Sequence, residues 1–509
     1  MNKFKDKIKL NPLMTYIFLI LFVICLSGFL SLIGFEGTYN EVSTKGDFTK
    51  NLVSTTSLAS LSGIKYIFST TVSNFVAFTP LSMLIIVLIG IGIMEKSGFL
   101  KTAFTLLTKY SRKRNVTFVF VLICVLLSIA GDLAFVTMIP LGALLFYYGR
   151  RNPLIGIVTS FAALTCGSGL SLFFTAVDSA MLSSTINASH ILDSGYGLGT
   201  LIFIFIMFVA IIVTSFIITI ITEKYAVNRV AEYEFKEEKK DLRITKKEMR
   251  GLIIALIAGF VYLLIFAYNI IPGLPFSGKL LDYSQVFYID KLFGFDSFFS
   301  NGFVFIVTVF FIILGLAYGL GAKTIRNNND FCDDLSHSLD GTGNILIMIL
   351  LASILINVMK KSNIGSVFAI QITSLISKTA FSGIPLVILT FFASFIITFL
   401  LPSPVAKWSI IAGAVVPVFM NAGLTPEFAQ VIVRFSEGMA YGLTPLMAYF
   451  VIYLAYIQKY NQKEEPISLF TTIKYQLPYA IGTGLVLLVI LIVWYISGLP
   501  MGLGGSISL

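Results

Sequence analysis

Charged side chains are scarce in this sequence. Asp, Glu, Lys and Arg make up 12% of its 509 residues and hydrophobic residues make up 57%, whereas a soluble domain is about 25% charged. Tryptophan and histidine are scarcer still, with two residues of each. This balance excludes an ordinary soluble enzyme, a disordered chain and a nucleic-acid-binding module. It is typical of a protein embedded in a lipid bilayer.

Cysteine and histidine are too few and too scattered to build a metal centre. The four cysteines show no metal or redox spacing, and His190 and His337 lie in different halves of the chain. We therefore expect no cofactor, and no metal apart from sodium, which with the proton is a candidate coupling ion. The net charge of +10 has a simple origin, because membrane proteins collect Lys and Arg in cytoplasmic loops. We expect no nucleic-acid partner.

Long apolar runs recur along the chain. A membrane-crossing helix needs about 20 apolar residues, and runs near this length lie at 13–35, 80–95, 198–222, 251–272, 301–322, 342–359 and 470–498. The runs 115–149 and 381–422 are too long for one helix and are broken at their middle by Gly131-Asp132 and Pro402-Ser403-Pro404. Two further runs, 153–192 and 426–457, are interrupted by glycine and acidic residues.

The basic residues predict how the chain is threaded through the membrane, because Lys and Arg concentrate on the cytoplasmic side. Basic clusters occur at the N-terminus, in 96–114, at Arg150 and Arg151, and in 223–250. If all of these clusters lie in the cytoplasm, the run 115–149 must be a re-entrant hairpin that enters the membrane from the cytoplasm. The run 381–422 must then be a hairpin that enters from the outside. The predicted fold is an all-α polytopic membrane protein with nine transmembrane helices and two re-entrant hairpins. Its N-terminus lies inside and its C-terminus outside.

The two halves of the chain repeat the same order of elements. Each half has a hairpin followed by a broken helix, and a cytoplasmic linker separates the halves. The predicted boundaries are 1–222 for the first repeat (hairpin 115–149, broken helix 153–192), 223–250 for the linker, and 251–509 for the second repeat (hairpin 381–422, broken helix 426–457). Hairpins that enter from opposite faces indicate an inverted-topology repeat, which in secondary transporters brings substrate and ions to the midplane.

The hairpin tips and the breaks in the helices are the candidate functional site. Backbone that leaves the helix at membrane depth is tolerated only where it is buried or lines a cavity. Asp132 at the first tip and Asp178 in the first broken helix are carboxylates in apolar runs, which are costly and usually functional. Each is either a ligand for a cation or proton, or a cap for the helix that follows.

Arg434 and Glu437 lie three residues apart on the second broken helix, so their side chains share one helix face. Arg434 is a candidate fork for a substrate carboxylate, and Glu437 is a candidate carrier of a proton or cation. Alternatively, the two form a structural ion pair. Near the second tip, Trp408 either stacks on an aromatic substrate or fills a wall, and Ser403 either offers an oxygen to a cation or is a plain turn residue.

A series of short motifs resembles the AbgT family, the p-aminobenzoyl-glutamate transporters, over nearly the whole chain. The motifs are Glu95-Lys-Ser-Gly98, Asp132 followed by Ile139-Pro-Leu141, Ala406-Lys-Trp408 with Pro417 and Phe419-Met420, Pro426 with Gln430 and Arg434, and Thr444-Pro-Leu-Met447 with Tyr449-Phe450. The family's nine spans and two hairpins agree with the threading derived from the basic residues.

This resemblance implies a homodimeric secondary transporter of the bacterial cytoplasmic (inner) membrane. Members of the family are linked to uptake of p-aminobenzoyl-glutamate and to efflux of sulfonamide drugs, driven by an ion gradient. The family's important positions carry over to Asp178, Trp408, Pro426 and Arg434. The acid three residues after that arginine is usually Asp in the family and is Glu437 here.

At several positions the sequence departs from the family pattern. Thr398 stands where the family tends to have Asn, Val405 where it has Ser, and Gly413 where it has Pro, while Ser171 and Tyr441 replace Asn on the broken helices. Hard cations need oxygen ligands, and the loss of such ligands points to a divergent branch of the family. Both sodium and the proton therefore stay open as coupling ions.

The sequence thus predicts an ion- or proton-coupled secondary active transporter of a small anionic aromatic or amino-acid-type substrate, such as p-aminobenzoyl-glutamate. The candidate substrate-binding residues are Asp178, Ser403, Trp408, Pro426, Arg434, Glu437 and Tyr441, and the candidate coupling residues are Asp132, Asp178, Thr398, Ser403 and Glu437. A sulfonamide-type drug exporter and a dicarboxylate or amino-acid transporter on the same scaffold are alternatives. A channel or an intramembrane enzyme is a more distant one, because the sequence shows no nucleophile–base set.

Overall fold

The structure is a computed structural model that describes residues 11–42, 48–172, 175–230, 233–235, 244–286, 288–293 and 296–509. Within these residues the chain is almost entirely helical, which confirms the predicted all-α membrane class. Ten helices are long and apolar enough to cross a membrane. Large apolar side chains such as Phe22, Phe68 and Phe305 are exposed on them, as expected for surfaces that contact lipid rather than water.

The first half contains ten helices and one pair of strands. Their bounds are α1 (Pro12–Leu32), β1 (Glu36–Val42), β2 (Phe48–Ser54), α2 (Leu61–Val76), α3 (Thr79–Lys96), α4 (Phe99–Tyr110), α5 (Lys113–Leu127), α6 (Asp132–Tyr148), α7 (Pro153–Gly167), α8 (Ala176–Ser189), α9 (Ile204–Ile221) and α10 (Val227–Arg229). A turn of π-helix, Thr222–Ala226, joins α9 to α10.

In the described residues of the second half, the regular elements are all helices, apart from two isolated β-bridges. Its helices are α11 (Lys246–Ile270), α12 (Tyr288–Phe293), α13 (Phe298–Ala322), α14 (Asn328–Ser336), α15 (Gly343–Ser362), α16 (Ile364–Ser377), α17 (Gly383–Leu400), α18 (Pro404–Asn421), α19 (Pro426–Tyr441), α20 (Phe450–Lys459) and α21 (Leu469–Ser497).

Both long apolar runs are interrupted at the predicted positions. Between α5 and α6 the interruption lies at Gly131, whose φ of 56° is a conformation that glycine adopts without a steric penalty. Between α17 and α18 it ends at Pro404, which occupies the first turn of α18, where its missing N–H leaves no hydrogen bond unmade. Local backbone chemistry thus sets the two tips.

The two broken helices are also interrupted where the sequence indicated. The first stops at Gly167 and resumes at Ala176, and the second stops at Tyr441 and resumes at Phe450. At the first break, the Thr175 hydroxyl and the Asp178 carboxylate each accept a hydrogen bond from the other residue's backbone N–H. This capping box satisfies amide groups that the break exposes.

The helix count is consistent with the predicted threading. Three of the ten long helices are hairpin arms, which leaves seven others: Pro12–Leu32, Leu61–Lys96, Ile204–Arg229, Lys246–Ile270, Phe298–Ala322, Gly343–Ser362 and Leu469–Ser497. With the two broken helices they make up the nine predicted crossings. The re-entry of the hairpins and the sides on which the termini lie stay predictions.

Several boundaries differ from the sequence-based expectation. The apolar run 80–95 forms α3, and a separate helix, α2, precedes it from Leu61. The predicted linker 223–250 is shorter, because one helix continues to Arg229 and the next begins at Lys246. In both places the chain is helical beyond the apolar run, in a segment with polar residues. Polar side chains are tolerated on the part of a helix that lies outside the hydrocarbon core of the membrane.

Strands β1 and β2 form a small antiparallel hairpin that the all-helical prediction did not anticipate. Glu36 pairs with Ser54 and Val42 with Phe48. The segment lies outside the apolar runs. Its backbone N–H and C=O groups make no helical hydrogen bonds, and pairing of the two strands satisfies them instead. Strand β1 packs on α16 and α18, where a Cβ at Gly37 would lie only 2.7 Å from the Ile370 side chain.

The order of helices is alike in the two halves, and the inverted repeat itself stays a prediction. In the first half a long helix (α3), a short helix (α4), a hairpin (α5 and α6), a broken helix (α7 and α8) and a long helix (α9) follow one another. In the second half α15 to α21 follow the same order. The halves interlock, because α18 packs on α8 and α6 packs on α20. Each hairpin thus contacts the broken helix of the other half.

Helices α6 and α7 approach closely through two glycines. A Cβ at Gly156 would lie 2.2 Å from the carbonyl oxygen of Gly142, so the backbone must move to admit even a methyl group. We expect Gly156→Ala to lower the free energy of unfolding by about 1–3 kcal/mol, the usual cost of overpacking. The measurement is the unfolding temperature of the purified protein in detergent.

The matched control for this substitution is Gly199→Ala, because nothing lies within 4 Å of a Cβ at Gly199. This variant should unfold at the temperature of the unsubstituted protein. Equal unfolding temperatures for both variants would show that the α6–α7 approach is not tight.

Candidate functional site

Helix α19 carries the charged centre of the molecule. All its residues from Pro426 to Tyr441 are buried, although Glu427, Arg434 and Glu437 lie among them. Ionised groups away from water are costly unless they are paired and hydrogen-bonded. The partners of these charges therefore define the site.

Glu437 joins two cations. One of its carboxylate oxygens lies 3.0 Å from the Lys407 Nζ and the other 3.0 Å from the Arg434 Nη1. The side chains of Lys407 and Glu437 are fully buried. The predicted Arg434–Glu437 pair thus forms, and a lysine from α18 completes it.

Arg434 also contacts the first broken helix. Its Nη2 lies 3.4 Å from the Asp178 Oδ1 and donates to the carbonyl oxygen of Ser168 at 3.1 Å. A Cβ at Gly169 would lie 2.2 Å from the Arg434 carbonyl oxygen, so glycine is needed for the backbones to approach. The arginine therefore links the breaks of both repeats, and one of its donors satisfies a carbonyl group that the first break exposes.

The structure shows Asp178 in the capping role that the sequence offered, at N3 of the capping box whose N-cap is Thr175, while its role as a ligand for a cation or proton stays a prediction. Its Oδ2 accepts from the Thr175 hydroxyl at 2.6 Å and from the Thr175 backbone N–H at 3.1 Å, as a helix cap does. Its other oxygen faces Arg434. The capping position aims the carboxylate, so a local structural role and membership of the charged cluster do not compete.

Lys407 is the residue whose role the sequence interpretation missed. Its ammonium group donates to the Ser394 hydroxyl at 3.0 Å and to the Thr398 hydroxyl at 2.9 Å, besides its contact with Glu437. The ammonium group thus has three oxygen neighbours, and the two hydroxyls accept hydrogen bonds from it. The available signal was a lysine inside the apolar run 381–422. Asp178, Lys407, Arg434 and Glu437 are called the charged quartet below.

Trp408 is part of a buried wall. Its side chain is fully buried, and its indole N–H donates to the Thr185 hydroxyl at 2.9 Å. That hydroxyl in turn lies 2.6 Å from the Gln430 side-chain oxygen. Of the two interpretations offered for Trp408, this arrangement favours the wall. It ties α18, α8 and α19 together, and neither Thr185 nor Gln430 was among the predicted site residues.

The remaining predicted residues lie at different distances from the quartet. Tyr441 is buried one helical turn beyond Glu437 and faces that carboxylate, and Thr398 contacts Lys407. Asp132 begins α6 and faces Tyr449 instead. Ser403 is exposed at the second tip, where its carbonyl accepts from the Lys407 backbone N–H. Pro426 begins α19, two turns before Arg434.

Two of the candidate coupling residues, Thr398 and Glu437, contact a cation of the protein itself. Ser394, Thr398 and Glu437 surround the Lys407 ammonium group. Among the residues that the structure describes, no group of three or more His, Cys, Asp or Glu side chains could hold a metal ion. The cavity that reaches Asp178 has a volume of about 20 Å³, room for about one water molecule. This cavity is therefore too small to hold a substrate in this conformation.

Comparisons with known proteins agree with this architecture. Residues 3–509 match the model of the AbgT transporter family. The chain is 26% identical over 495 residues to the p-aminobenzoyl-glutamate transport protein of Escherichia coli, covering 97% of this chain and 94% of that protein.

Two solved structures are similar over nearly their whole length. One is MtrF of Neisseria gonorrhoeae, described as illuminating a class of antimetabolite efflux pumps, with a TM-score of 0.50, 26% identity and 98% of each chain covered. The other is the Alcanivorax borkumensis YdaH transporter, with a TM-score of 0.49, 24% identity and coverage of 97% of this chain and 100% of that one.

The Lys407–Glu437 contact can be tested by a double-mutant cycle. Lys407→Met leaves a buried carboxylate oxygen without its cation, so we expect it to lower the free energy of unfolding by about 3–5 kcal/mol. Adding Glu437→Gln should recover part of this loss, because the uncompensated charge is removed. The measurement is unfolding of both single variants and the double variant in detergent.

An exposed pair offers the matched control. His337 and Asp340 lie 3.0 Å apart with both side chains more than half exposed, so Asp340→Asn should change the free energy of unfolding by less than about 1 kcal/mol. Strictly additive effects of Lys407→Met and Glu437→Gln would contradict the interaction.

Proposed function

Because the chain belongs to the AbgT family of transporters, we propose that it moves a small anionic aromatic or amino-acid-type compound across the bacterial inner membrane together with a cation. Its N-terminus would lie inside, its C-terminus outside, and two copies would form a dimer. The observation that carries the proposal is the charged quartet, which joins α8, the helix after the first break, to α18 and to α19, the helix before the second break.

The charge of the quartet supports coupling to a cation. With all four groups ionised, two carboxylates balance one ammonium and one guanidinium group, so the cluster is neutral. An anionic substrate that enters adds one negative charge to a region away from water, which is costly. A cation that enters with the substrate removes this cost. Coupled movement therefore follows from charge balance rather than from a dedicated ion site.

Arg434 is the group best suited to hold the substrate carboxylate. A guanidinium group binds carboxylates through two parallel hydrogen bonds, and here both terminal nitrogens already face carboxylate oxygens. The longer contact, 3.4 Å to Asp178, is the weaker one. The substrate would replace Asp178 at the guanidinium group, and Asp178 would then need a new counter-charge.

The proton is the coupling ion that this arrangement favours. The oxygens of Ser394, Thr398 and Glu437 already contact the Lys407 ammonium group, so they are not free to bind a sodium ion. Asp178, once displaced from Arg434, can be neutralised by a proton without further ligands. It also lies beside the small cavity, from which water could reach it. Asp178 would thus carry the proton while Arg434 carries the substrate.

Flux into proteoliposomes tests the proposal directly. Uptake of labelled p-aminobenzoyl-glutamate should rise when the outside is made more acidic than the inside and should respond little to an imposed sodium gradient. A response to sodium alone would overturn the choice of ion, and a response to neither gradient would overturn coupled transport. Dicarboxylates and amino acids as competitors would test the other cargoes of the same scaffold.

The substitution Arg434→Lys tests whether the substrate carboxylate needs the two parallel hydrogen bonds of a guanidinium group or only a positive charge. Lysine keeps the positive charge but cannot form two parallel hydrogen bonds with a carboxylate, so substrate flux should fall at least tenfold, which corresponds to about 1.4 kcal/mol. The exposed Arg326→Lys serves as control and should transport normally. Undiminished flux in Arg434→Lys would show that the substrate carboxylate binds elsewhere.

Export of a sulfonamide-type drug is the second candidate, and the similarity to an antimetabolite efflux pump favours it. Charge balance permits either direction of movement, because the gradients decide which way a coupled cycle turns. Cells that express the protein should then grow at higher concentrations of sulfamethazine than cells with the Arg434→Lys variant. Equal sensitivity of the two strains would argue against export.

A further inference from the structure

A second site lies away from the charged quartet, in a cavity of about 250 Å³ between α4, α5 and α6. Val116, Leu145 and Phe146 give it apolar walls, and basic side chains line its rim. The proposed transport cycle does not use this cavity. Its lining combines the two properties that an amphipathic anion would need.

The cavity is strongly basic. Lys109, Lys113, Arg150 and Arg151 line it, and no acidic residue does. Arg151 is neutralised by Glu223, which lies 2.7 Å from its Nη2. The other three cations form no salt bridge with any residue that the structure describes. Three positive charges around one small volume repel one another and so favour binding of an anion.

Arg150 is held in an unusual conformation at this cavity. Its φ is 54°, a region that residues other than glycine rarely adopt and that costs about 1–3 kcal/mol. The guanidinium group lies over the Phe235 ring at 5.1 Å from the ring centre. Its Nη2 is buried without a hydrogen-bond partner among the described residues. A buried donor of this kind is rarely left unsatisfied.

Two further donors converge on the same place. The Thr105 hydroxyl is also buried without a described partner, and the Thr105 residue is only 7% exposed. Lys113 is the first residue of α5, whose N-terminus receives no hydrogen bond from the side chain of Arg112 and has no acidic residue in its first turn. A helix N-terminus offers free N–H groups and a partial positive charge to an anion.

We propose that this cavity binds a phosphate group, and that the apolar walls suit the phosphate of an anionic phospholipid. Arginine and lysine are the usual phosphate partners, and basic pockets between membrane helices on the cytoplasmic side bind lipid headgroups. The basic residues at 96–114 and at Arg150 place the cavity on the predicted cytoplasmic side. An acyl chain would run along the wall formed by Val116 and Leu145.

Such a ligand would join three elements of the first repeat. The cavity is bounded by the short helix α4, by the start of α5, and by the end of α6 with the turn that leads into α7. A bound phosphate group would therefore hold the base of the first hairpin against its neighbours. The site would act on stability and on the mobility of the hairpin, and it would not contact the transported substrate.

Titration of the intact protein with lipid tests the proposal. The protein is purified in a neutral detergent, dipalmitoyl-phosphatidylglycerol or the corresponding phosphatidylcholine is added, and bound lipid is counted by native mass spectrometry. The anionic lipid should bind and the zwitterionic lipid should not. Lys113→Gln combined with Arg150→Gln should weaken binding roughly thirtyfold. This fold-change corresponds to about 2 kcal/mol, or about 1 kcal/mol for each positive charge removed.

The matched control removes the same charge elsewhere. Lys246→Gln combined with Lys247→Gln changes two exposed lysines at the start of α11, outside the cavity, and should leave the affinity for the anionic lipid unchanged. If both double variants lose affinity equally, attraction is general to the basic face and the cavity is not the site.

Inorganic phosphate separates the two sources of the ligand. If phosphate raises the unfolding temperature, and does so only while Lys113 and Arg150 are present, the cavity binds phosphate groups and a soluble phosphate compound is the ligand. If only phosphatidylglycerol does so, the ligand is a lipid. If neither compound depends on Lys113 and Arg150, the proposal is overturned.

Discussion

The contact between Glu437 and its two cations is the constraint on which the centre of this molecule depends. Helix α19 is buried along its whole length. Because it carries a glutamate and an arginine in this buried stretch, both charges must be paired. The pairing draws α18 to α19 through Lys407, and α8 to α19 through Asp178. Helix α8 thus meets α18 and α19, which come much later in the chain, and the broken helices of the two halves are fixed relative to each other.

This constraint explains why structure and proposed function share the same residues. A neutral buried quartet is stable as long as no further charge enters it, and that condition makes an anionic substrate depend on a cation. The groups that stabilise the closed conformation would therefore be the groups that a substrate and a proton separate. The phosphate-binding cavity has a different role, because three of its four cations form no salt bridge with any residue that the structure describes, whereas the charges of the quartet balance.

Much of this was predictable from the sequence. The two tips at Gly131 and Pro404, the two broken helices, and the shared face of Arg434 and Glu437 follow from local rules, namely backbone freedom, helix periodicity and the cost of charge in an apolar run. Strands β1 and β2 were missed because their pairing satisfies backbone groups outside any apolar pattern. The role of Lys407, noted only within the motif Ala406-Lys-Trp408, was missed because its partners lie on two other helices, Ser394 and Thr398 on α17 and Glu437 on α19.

The sequence by itself determined the class of protein, the places where helices stop, and the few charges that lie among apolar residues, because hydrophobicity, turn formation and charge are properties of short segments. Only the tertiary structure decided which charges meet. Asp132 and Asp178 are alike in sequence, yet one faces Tyr449 and the other faces Arg434, because the packing of α8 against α18 and α19 brings only the second to the quartet. Partners far apart in the chain are set by how helices pack, and no local pattern records that.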